Sequence, residues 1–513
     1  MQTGPKRTRI YHVLPLFFIV LLGACRAATG ADSLPVGQAE LDNPATAPLT
    51  PHFQATPTLV ATATPPAPTP VPSPTLSLLS GKPSIGDPFT PELGNTGYDV
   101  QHYTLQLTLN PALGQLEGIA TLEATTTQSN LRRISLDFIG YQISFVSVDD
   151  APVSFERDAG KLWVELPSSL LAEGTSFTLA VGYSGQPVQV DSPYVHYASY
   201  LGLIFPGNNT FYTLSEPDGA RYWFPGNDHP RDRATFRIEL TVPRALAAIS
   251  NGELVATRLD TMPDGSDATT FVWQEDEPMA TYLALAAGGH YLRTEGESPN
   301  GIPLIYYYFP EFEEEYDEAV DITGEAIDWM SDLLGPYPFD SYGQATYYAM
   351  GVSMETQTMT LLSYQMLDER TVVHELSHSW FGNWVGLESW ADTWLKEGFA
   401  TYMELLWLSR DDAAEMDRLI AEVEAEVSEK GHDYPLSEPP PERMLSFDSY
   451  YRGTLLMHAL HQELGDEAFF EGVRLYMQRY GGSTASHEEF QAVMEEAAGT
   501  SLDSFFDRWL GEG

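Results

Sequence analysis

Histidine and glutamate, which bind transition metals and move protons, lie close together in the segment His374-Glu375-Leu376-Ser377-His378. Two histidines four positions apart share one face of a helix, so both imidazoles can reach one metal ion. Glu375 lies about 100° further round that helix, which places its carboxylate beside the metal rather than on it. There it can accept a proton from a water molecule. The spacing therefore predicts a hydrolytic zinc site with Glu375 as general base.

A third metal ligand is expected at Glu397, nineteen positions after the second histidine. The apolar period predicts one helix over residues 371–384, with Asp368 before it, and a second over residues 393–408. A short connection joins these helices, so they can fold back on each other and bring Glu397 to the histidines. Three protein ligands leave one position on zinc open, which is typical of a catalytic metal.

The composition indicates a large globular protein with an acidic surface. The chain has 513 residues, 43% hydrophobic and 12% aromatic, enough for roughly two to four domains. Its 72 acidic residues against 26 basic ones give a net charge of −46. This charge argues against nucleic acid as a partner, because the phosphates would be repelled. We interpret it as a solvated surface outside the cell or in salt, with a trap for cationic substrates as the alternative.

The first 25 residues have the pattern of an export signal. Basic residues between positions 6 and 9 precede an apolar run, 13–22, that is too short to span a bilayer. The run ends in Leu22-Gly23-Ala24-Cys25, which resembles the lipobox of bacterial lipoproteins, and Cys25 is the only cysteine. We expect export, lipid attachment at Cys25 and a membrane anchor on the periplasmic face or cell surface. An ordinary signal peptide is the alternative.

Composition then predicts a tether and a first folded domain. Residues 26–85 are rich in Pro, Thr and Ala, have little apolar surface to bury, and are expected to be an extended disordered tether. Residues 86–290 contain stretches in which apolar and polar residues alternate, among them 103–109, 176–181 and 235–242. A period of two residues predicts a domain of antiparallel strands.

The apolar period lengthens after about residue 291, which predicts a mostly helical catalytic domain over residues 291–513. Besides the two metal-binding helices, helix-like spacing covers 312–334, 411–430, 451–464 and 487–498; a small sheet is expected around 344–359, and an amphipathic segment, 505–510, ends the chain. The predicted fold class is α+β and multidomain, with the β domain before the helical domain.

Two segments of the chain resemble the signature blocks of a known family. Residues 374–383, His-Glu-Leu-Ser-His-Ser-Trp-Phe-Gly-Asn, and 394–400, Trp-Leu-Lys-Glu-Gly-Phe-Ala, resemble those of the aminopeptidase N family of zinc peptidases, the gluzincins. The resemblance covers about residues 90–513. It implies a saddle-like β domain before a thermolysin-like domain, one zinc ion per chain at the ligands His374, His378 and Glu397, and hydrolysis of peptides that have a free N-terminus.

The resemblance also implies a role for Tyr450, which lies three positions before Gly453. It matches the family's tyrosine that stabilises the tetrahedral oxyanion, although Arg452 replaces the usual Lys. A core aromatic is the alternative for Tyr450, and its neighbour Tyr451 is the better candidate for packing. Glu404, two helical turns after the third ligand, can orient a ligand histidine, but we expect a solvated acid there and leave it outside the site.

Two acids match the family's amine-binding glutamates. Glu355 corresponds to the glutamate of the Gly-x-Met-Glu-Asn motif, but Val352 and Thr356 replace its Gly and Asn, so the backbone there is expected to run differently. Glu216 precedes an Ala-Arg and a Phe-Pro pair and corresponds to the second acid, with Leu214 where Gln is common. The alternatives are a surface acid for Glu355 and a turn residue for Glu216.

Together these residues predict an exopeptidase. Two carboxylates beside the metal can hold a desolvated ammonium where an endopeptidase substrate would continue. A zinc endopeptidase, a hydrolase of a non-peptide substrate such as an epoxide, and a tethered binding protein with a silent site are the alternatives. Few residues follow Trp509, where many relatives have another helical domain, so we expect an open cleft; Tyr347, Tyr348 and Met354 are candidates for its wall.

Overall fold

The computed structural model describes most of the chain from residue 79 onward. The described residues are 79–158, 160–168, 172–188, 191–195, 201–313, 316, 322–348 and 351–511. The expected export signal with Cys25 and nearly all of the expected tether lie outside them. The described residues belong to one compact unit, Leu78–Gly513. Among them, no helix combines the length and the apolar character needed to cross a membrane.

Strands form nearly all of the regular structure in the N-terminal part. In chain order they are β1 Leu79–Ser80, β2 Tyr98–Asn110, β3 Gln115–Thr126, β4 Leu131–Asp137, β5 Gln142–Val148, β6 Ala151–Pro152, β7 Phe155–Asp158, β8 Lys161–Glu165, β9 Ser176–Gly185, β10 Gly202–Gly207, β11 Thr210–Leu214, β12 Arg233–Pro243, β13 Ala247–Ile249, β14 Glu253–Thr261, β15 Asp267–Ala280 and β16 Ala287–Gly289. Eight pair in the order β14-β15-β12-β2-β3-β9-β5-β6, and the others form the sheets β1-β4-β8-β7 and β10-β11-β16-β13.

The largest sheet is mixed, whereas the alternating pattern led us to expect antiparallel strands. The three quoted stretches lie within β2, β9 and β12, but β12 runs parallel to β2, with Ile238 opposite Leu105. Alternation decides which side chains face the core and carries no information on strand direction. A long connection between β2 and β12 allows the chain to return beside β2 in the same direction.

The structure also differs from the expectation at the end of the tether. Leu79 and Ser80 pair in parallel with β4, and the Leu79 N–H donates to the Asn130 carbonyl at 2.9 Å. Strand β4 would otherwise be the edge of its sheet, and an edge offers backbone groups to any chain nearby. Residues 79 and 80, which the tether was expected to include, therefore belong to a sheet.

The C-terminal part is a helical body with a small sheet. Its helices are α1 Thr323–Leu334, α2 Glu369–Ser377, α3 Thr393–Leu408, α4 Ala413–Lys430, α5 Phe447–Tyr480, α6 His487–Ala498 and α7 Asp503–Gly511. Its strands are β17 Leu292–Glu297, β18 Pro303–Tyr308, β19 Tyr342–Tyr347, β20 Met359–Ser363, β21 Gly386–Leu387 and β22 Thr484–Ala485. The first four form the sheet expected around residues 344–359, in the order β17-β18-β19-β20.

Helix ends show where local signals were sufficient. Helices α3 and α6 have the predicted bounds, and α5 is broken at Gly465, where φ is +74°, directly after the predicted end. Asp368 caps α2 by accepting from the Thr371 N–H at 3.0 Å. The predicted end of α2 at residue 384 is wrong, because the backbone turns away after Ser377 and reaches a φ of +111° at Gly382.

A shared core joins the two parts. Met354 and Trp390, from the helical part, belong to the same buried cluster as the strands of the N-terminal part. Asp87 adds polar contacts: its Oδ2 lies 3.1 Å from His229 Nε2 and accepts from Ser389 Oγ at 2.9 Å. These contacts fix the segment that leads into α3, which carries the third predicted metal ligand.

Candidate active site

The three predicted metal ligands converge where α2 ends and α3 begins. His374 Nε2 lies 3.3 Å from His378 Nε2, and Glu397 Oε2 lies 3.4 Å from the first nitrogen and 3.5 Å from the second. Ligand atoms bound to one tetrahedral zinc at about 2.0–2.1 Å are about 3.3 Å apart. Glu397 Oε2 is buried and accepts no hydrogen bond from the described residues, which leaves its lone pairs to a cation. The donor set and its spacing fit zinc.

The outward nitrogens of both histidines also have partners. His378 Nδ1 lies 3.1 Å from the Phe381 carbonyl oxygen, and His374 Nδ1 lies 3.5 Å from Glu404 Oε2. Glu404 is 7% exposed, and its other oxygen contacts Arg370 Nε at 2.5 Å. The expectation of a solvated Glu404 is therefore wrong, because it is buried against a ligand. Such partners fix the orientation and tautomer of ligand histidines.

The surrounding carboxylates make this a site for positive charge. Burial lowers the pKa of His374, but contacts with Glu397 and Glu404 outweigh that effect and raise the pKa to about 10. A metal ion must therefore displace a proton from His374, so metal affinity is expected to fall as the pH falls.

Glu375 points into the same buried space. It is 7% exposed, and burial raises the pKa of its carboxyl to about 8 against the attraction of His374, with Glu355 and Glu397 adding to the rise. A dication held by the ligands acts in the opposite sense and favours the carboxylate. Glu375 is therefore buried and interacts electrostatically with the ligands His374 and Glu397.

Tyr450 reaches the ligands because two helices approach unusually closely. A Cβ on Gly398 of α3 would lie 2.5 Å from the backbone of Gly453 in α5, so only glycine fits on both sides of the crossing. The Tyr450 ring lies 5.9 Å from the His374 ring and nearly parallel to it. Tyr451, by contrast, is buried and packs edge-on against Phe447, as expected of the packing residue.

Glu216 and Glu355 meet beside the third ligand. Glu216 follows β11, Glu355 lies between β19 and β20, and their carboxylate oxygens lie within 4.8 Å of each other and of an oxygen of Glu397. Both residues are at most 4% exposed. The structure therefore excludes the surface-acid alternative for Glu355 and brings both amine-binding candidates to the predicted metal ligand Glu397.

Lys396 lies at the centre of these carboxylates, and the sequence analysis assigned it no role. Its Nζ lies 2.6 Å from Glu216 Oε1, 2.5 Å from Glu355 Oε1 and 2.6 Å from Glu397 Oε1. The side chain is 1% exposed. A lysine between apolar residues and a metal ligand was a signal of a buried charge, because a buried ammonium needs an anionic partner.

Electrostatics divides the carboxylates into two kinds. Burial and repulsion from Glu355 raise the pKa of Glu216 well above its usual value. Burial would also raise the pKa of Glu355, but the charge of Lys396 outweighs it and lowers that pKa. Burial alone would lower the pKa of Lys396, yet the three carboxylates raise it well above its usual value, so the ammonium stays charged.

Comparisons with known proteins identify the family. The profile of the peptidase M1 N-terminal domain matches residues 99–283, and that of the peptidase family M1 domain matches residues 318–509. A solved mutant M1 zinc metallopeptidase from Deinococcus radiodurans, bound to Tyr-Ser-Ala, is 31% identical, with a TM-score of 0.74 over 83% of this chain and 97% of that one. This chain belongs to peptidase family M1. The predicted resemblance and the predicted order of a β domain before a helical catalytic domain are both confirmed.

Curated relatives of this M1 chain are longer proteins. Glutamyl aminopeptidase of Homo sapiens is 28% identical over 325 residues, which are 58% of this chain and 33% of the human protein. Aminopeptidase M1 of Arabidopsis thaliana is 26% identical over 417 residues, which are 72% of this chain and 46% of the plant protein. The M1 chain therefore spans between a third and a half of the length of these relatives.

The departures from the Gly-x-Met-Glu-Asn pattern are accommodated locally. The positive φ, +75°, falls on Gly351, while Val352 keeps an ordinary backbone conformation and its carbonyl accepts from the Tyr347 hydroxyl. Thr356 bonds to the Met359 carbonyl, and Asn383 Nδ2 donates to the Glu355 carbonyl at 2.7 Å. These contacts hold the backbone around Glu355 without the motif's Gly and Asn.

The residues suggested as a cleft wall have different environments. Tyr347 and Met354 are 1% and 2% exposed and belong to the shared core, whereas Tyr348 is partly exposed and stacks on Phe309 with ring centroids 4.5 Å apart. Of the three, only Tyr348 presents appreciable surface.

Replacing Tyr450 with Phe is expected to reduce kcat by on the order of 10²-fold with little change in KM, because the lost hydroxyl is a donor that acts in the transition state. Tyr451→Phe is the matched control, since it removes the same atom from the neighbouring, packed tyrosine. Steady-state kinetics on one amino-acid anilide measures both variants. Equal losses in the two variants would show that Tyr450 has no special role in turnover.

Proposed function

We propose that this M1 protein is an aminopeptidase with one zinc ion per chain, which removes the N-terminal residue from peptides outside the cytoplasm. The observation that carries this proposal is the meeting of Glu216 and Glu355 beside the ligand Glu397. Two carboxylates are buried next to the metal ligands, and the single ammonium of Lys396 beside them does not balance both. Such a site favours the N-terminus of a peptide, whose ammonium supplies the opposite charge.

The related proteins agree with this substrate class. The relatives quoted above are named aminopeptidases, and the Deinococcus protein was solved with the tripeptide Tyr-Ser-Ala. A two-domain M1 zinc metallopeptidase with a TM-score of 0.77 was solved with L-tryptophan, a free amino acid of the kind that an aminopeptidase releases. On that basis we propose peptides with a free N-terminus as the substrates of this chain.

The residues divide the reaction among themselves. A zinc ion held by His374, His378 and Glu397 would supply a Lewis acid that polarises the scissile carbonyl and acidifies a water molecule. Glu375 takes the proton from the attacking water and passes it to the leaving amine. The Tyr450 hydroxyl donates a hydrogen bond to the oxyanion that forms on the carbonyl oxygen.

Glu216 and Glu355 position the substrate for this reaction. By holding the α-ammonium, they fix the first peptide carbonyl relative to Glu375 and to the metal ligands. Such positioning increases the rate, because the entropy cost of bringing the reacting atoms together is met when the substrate binds. It also excludes blocked N-termini, which have no charge to offer to buried carboxylates.

The test compares an amino-acid anilide with its N-acetylated form. We expect kcat/KM for the free amine to be at least about 100-fold higher, because the acetylated compound brings no positive charge to carboxylates that outnumber the single ammonium of Lys396. The variant Glu355→Gln should narrow that ratio, and Glu325→Gln, an exposed acid in α1, should leave it unchanged. Equal cleavage of both compounds by the wild-type protein would favour an endopeptidase and remove Glu216 and Glu355 from their proposed roles.

The location outside the cytoplasm rests on the first 25 residues alone. A basic start, an apolar run and Cys25 at its end support export and lipid attachment. We propose that lipid on Cys25 anchors the protein to a membrane. Metabolic labelling with a radioactive fatty acid tests this, and a Cys25→Ser variant that is labelled to the same extent would contradict it.

A further inference from the structure

A three-carboxylate pocket, formed by Glu216, Glu355 and Glu397, surrounds the ammonium of Lys396. Lys396 Nζ donates a hydrogen bond to Glu355 Oε1 at 2.5 Å and lies 2.6 Å from both Glu216 Oε1 and Glu397 Oε1, so the ammonium forms ion pairs with all three acids. The same three acids satisfy the spacing of a metal site when the lysine is ignored, since one oxygen of each lies within 4.8 Å of the others. The lysine therefore occupies the position of a cation.

The surroundings hold Lys396 in this position. A Cβ on Gly382 would lie 3.2 Å from the Lys396 Cδ, so a glycine with a φ of +111° leaves room for the lysine stem. The Tyr282 ring lies 5.9 Å from Nζ on another side. With the side chain 1% exposed, solvent does not offer an alternative partner. The ammonium is thus a fixed component of the pocket.

A charge count shows what the resident ammonium does. With all three acids ionised, three carboxylates and one ammonium leave two negative charges, which one zinc ion at His374, His378 and Glu397 would balance. The carboxylate of Glu375 adds one negative charge, and the α-ammonium of a substrate balances it. Without Lys396 and before a substrate binds, the three carboxylates, Glu375 and one zinc ion would leave two negative charges, which a second divalent cation balances better than one ammonium does. Carboxylate oxygens are good ligands for such cations.

We propose that Lys396 is a positioning residue that serves as the built-in cation of the three-carboxylate pocket, excludes a second divalent ion from it and thereby reserves the pocket for a substrate ammonium. This proposal rests on the proposed function for the identity of the substrate. It goes beyond that function by explaining why one metal ion is bound although Glu397 has an oxygen facing each of two cation positions.

Counting metal ions tests the proposal. After equilibrium dialysis against micromolar Zn²⁺ or Mn²⁺, elemental analysis should find about one ion per chain in the wild type and about two in Lys396→Met, whose side chain is similar in length and uncharged. In the double variant Lys396→Met/Glu216→Gln the second ion should be lost, because one of its ligands is gone. A folded Lys396→Met protein with one ion would overturn the proposal.

A matched control separates this effect from the loss of any buried lysine. Lys161 in β8, which is distant from Lys396 in the sequence, is also buried, and its Nζ lies 2.5 Å from Asp137 Oδ1. Lys161→Met should destabilise the fold and still bind about one ion. A second ion in Lys161→Met would show that altered folding, rather than the vacated pocket, recruits metal, and would overturn the proposal.

Two further measurements complete the test. Excess Zn²⁺ should raise KM for a free-amine anilide in Lys396→Met and have a much smaller effect on the wild type, since the second ion competes with the ammonium. If Lys396→Met does not fold, Lys396→Gln replaces it. We expect Mn²⁺ to raise the melting temperature of this variant more than it raises that of the wild type. An equal rise in both proteins contradicts the proposal. The metal count does not depend on turnover. A single ion in Lys396→Met would overturn the role of Lys396 and leave the proposed function intact, whereas equal cleavage of free and acetylated anilides would overturn the proposed function and leave the metal count unaffected.

Discussion

Replacing Glu375 with Gln is expected to reduce kcat by on the order of 10³- to 10⁴-fold while the metal content stays at the wild-type value. The amide keeps the size of the side chain but cannot accept the proton that the attacking water must lose. Glu375 does not belong to the group of converging ligand atoms, His374, His378 and Glu397, so we expect metal binding not to depend on it.

The measurement combines steady-state kinetics with elemental analysis of the same preparation. Glu325→Gln makes the identical chemical change at an exposed position of α1 and should match the wild type in both. Near-normal turnover in Glu375→Gln would mean that another group removes the proton. Loss of metal together with turnover would instead assign Glu375 to the ligand set.

Loss of a metal ligand should have the second large effect. We expect His378→Ala to weaken zinc binding by well over about 100-fold, since only two ligands remain, and to abolish turnover at nanomolar zinc. Glu404→Gln should weaken binding by about 10- to 100-fold, because Glu404 contacts His374 and not the metal. Competition with a chelating dye measures both affinities. The expectation fails if Glu404→Gln is the weaker binder of the two.

Zinc added back in excess provides the control for this comparison. Glu404→Gln retains all three ligands, so it should recover most of its turnover when zinc is saturating. His378→Ala should recover little, because the geometry of the site is incomplete even when an ion is present. Full recovery in both would indicate that His378 contributes affinity alone.

Features that depend on residues close together in the sequence could be predicted from the sequence. The separation of His374 and His378 follows from the helical period. Both side chains stay on one face although α2 ends at Ser377, because His378 keeps a helical backbone conformation. Asp368 as a helix cap and the break at Gly465 are local signals of the same kind. Local rules decide such features before any tertiary contact forms.

Features that depend on packing between distant segments were not predictable. The alternation of apolar and polar residues in β2 and β12 does not indicate that these strands pair in parallel. Glu404 looks like an ordinary helix acid, and only the fold shows that it is buried; for Lys396 the sequence offered a signal of burial but no partner. For Glu216 and Glu355, the family resemblance supplied the candidates, while their meeting beside Glu397 required the structure.

The core that joins the strands to the helices has a consequence for how this protein can diverge. Glu216 comes from the strand-rich part, whereas the metal ligands and Glu375 come from the helical part. A small change in how the two pack would move Glu216 and leave the hydrolytic groups in place. Under the proposed function, mutations where the two parts pack are therefore expected to change how tightly the α-ammonium is held and to leave the hydrolytic step unaltered.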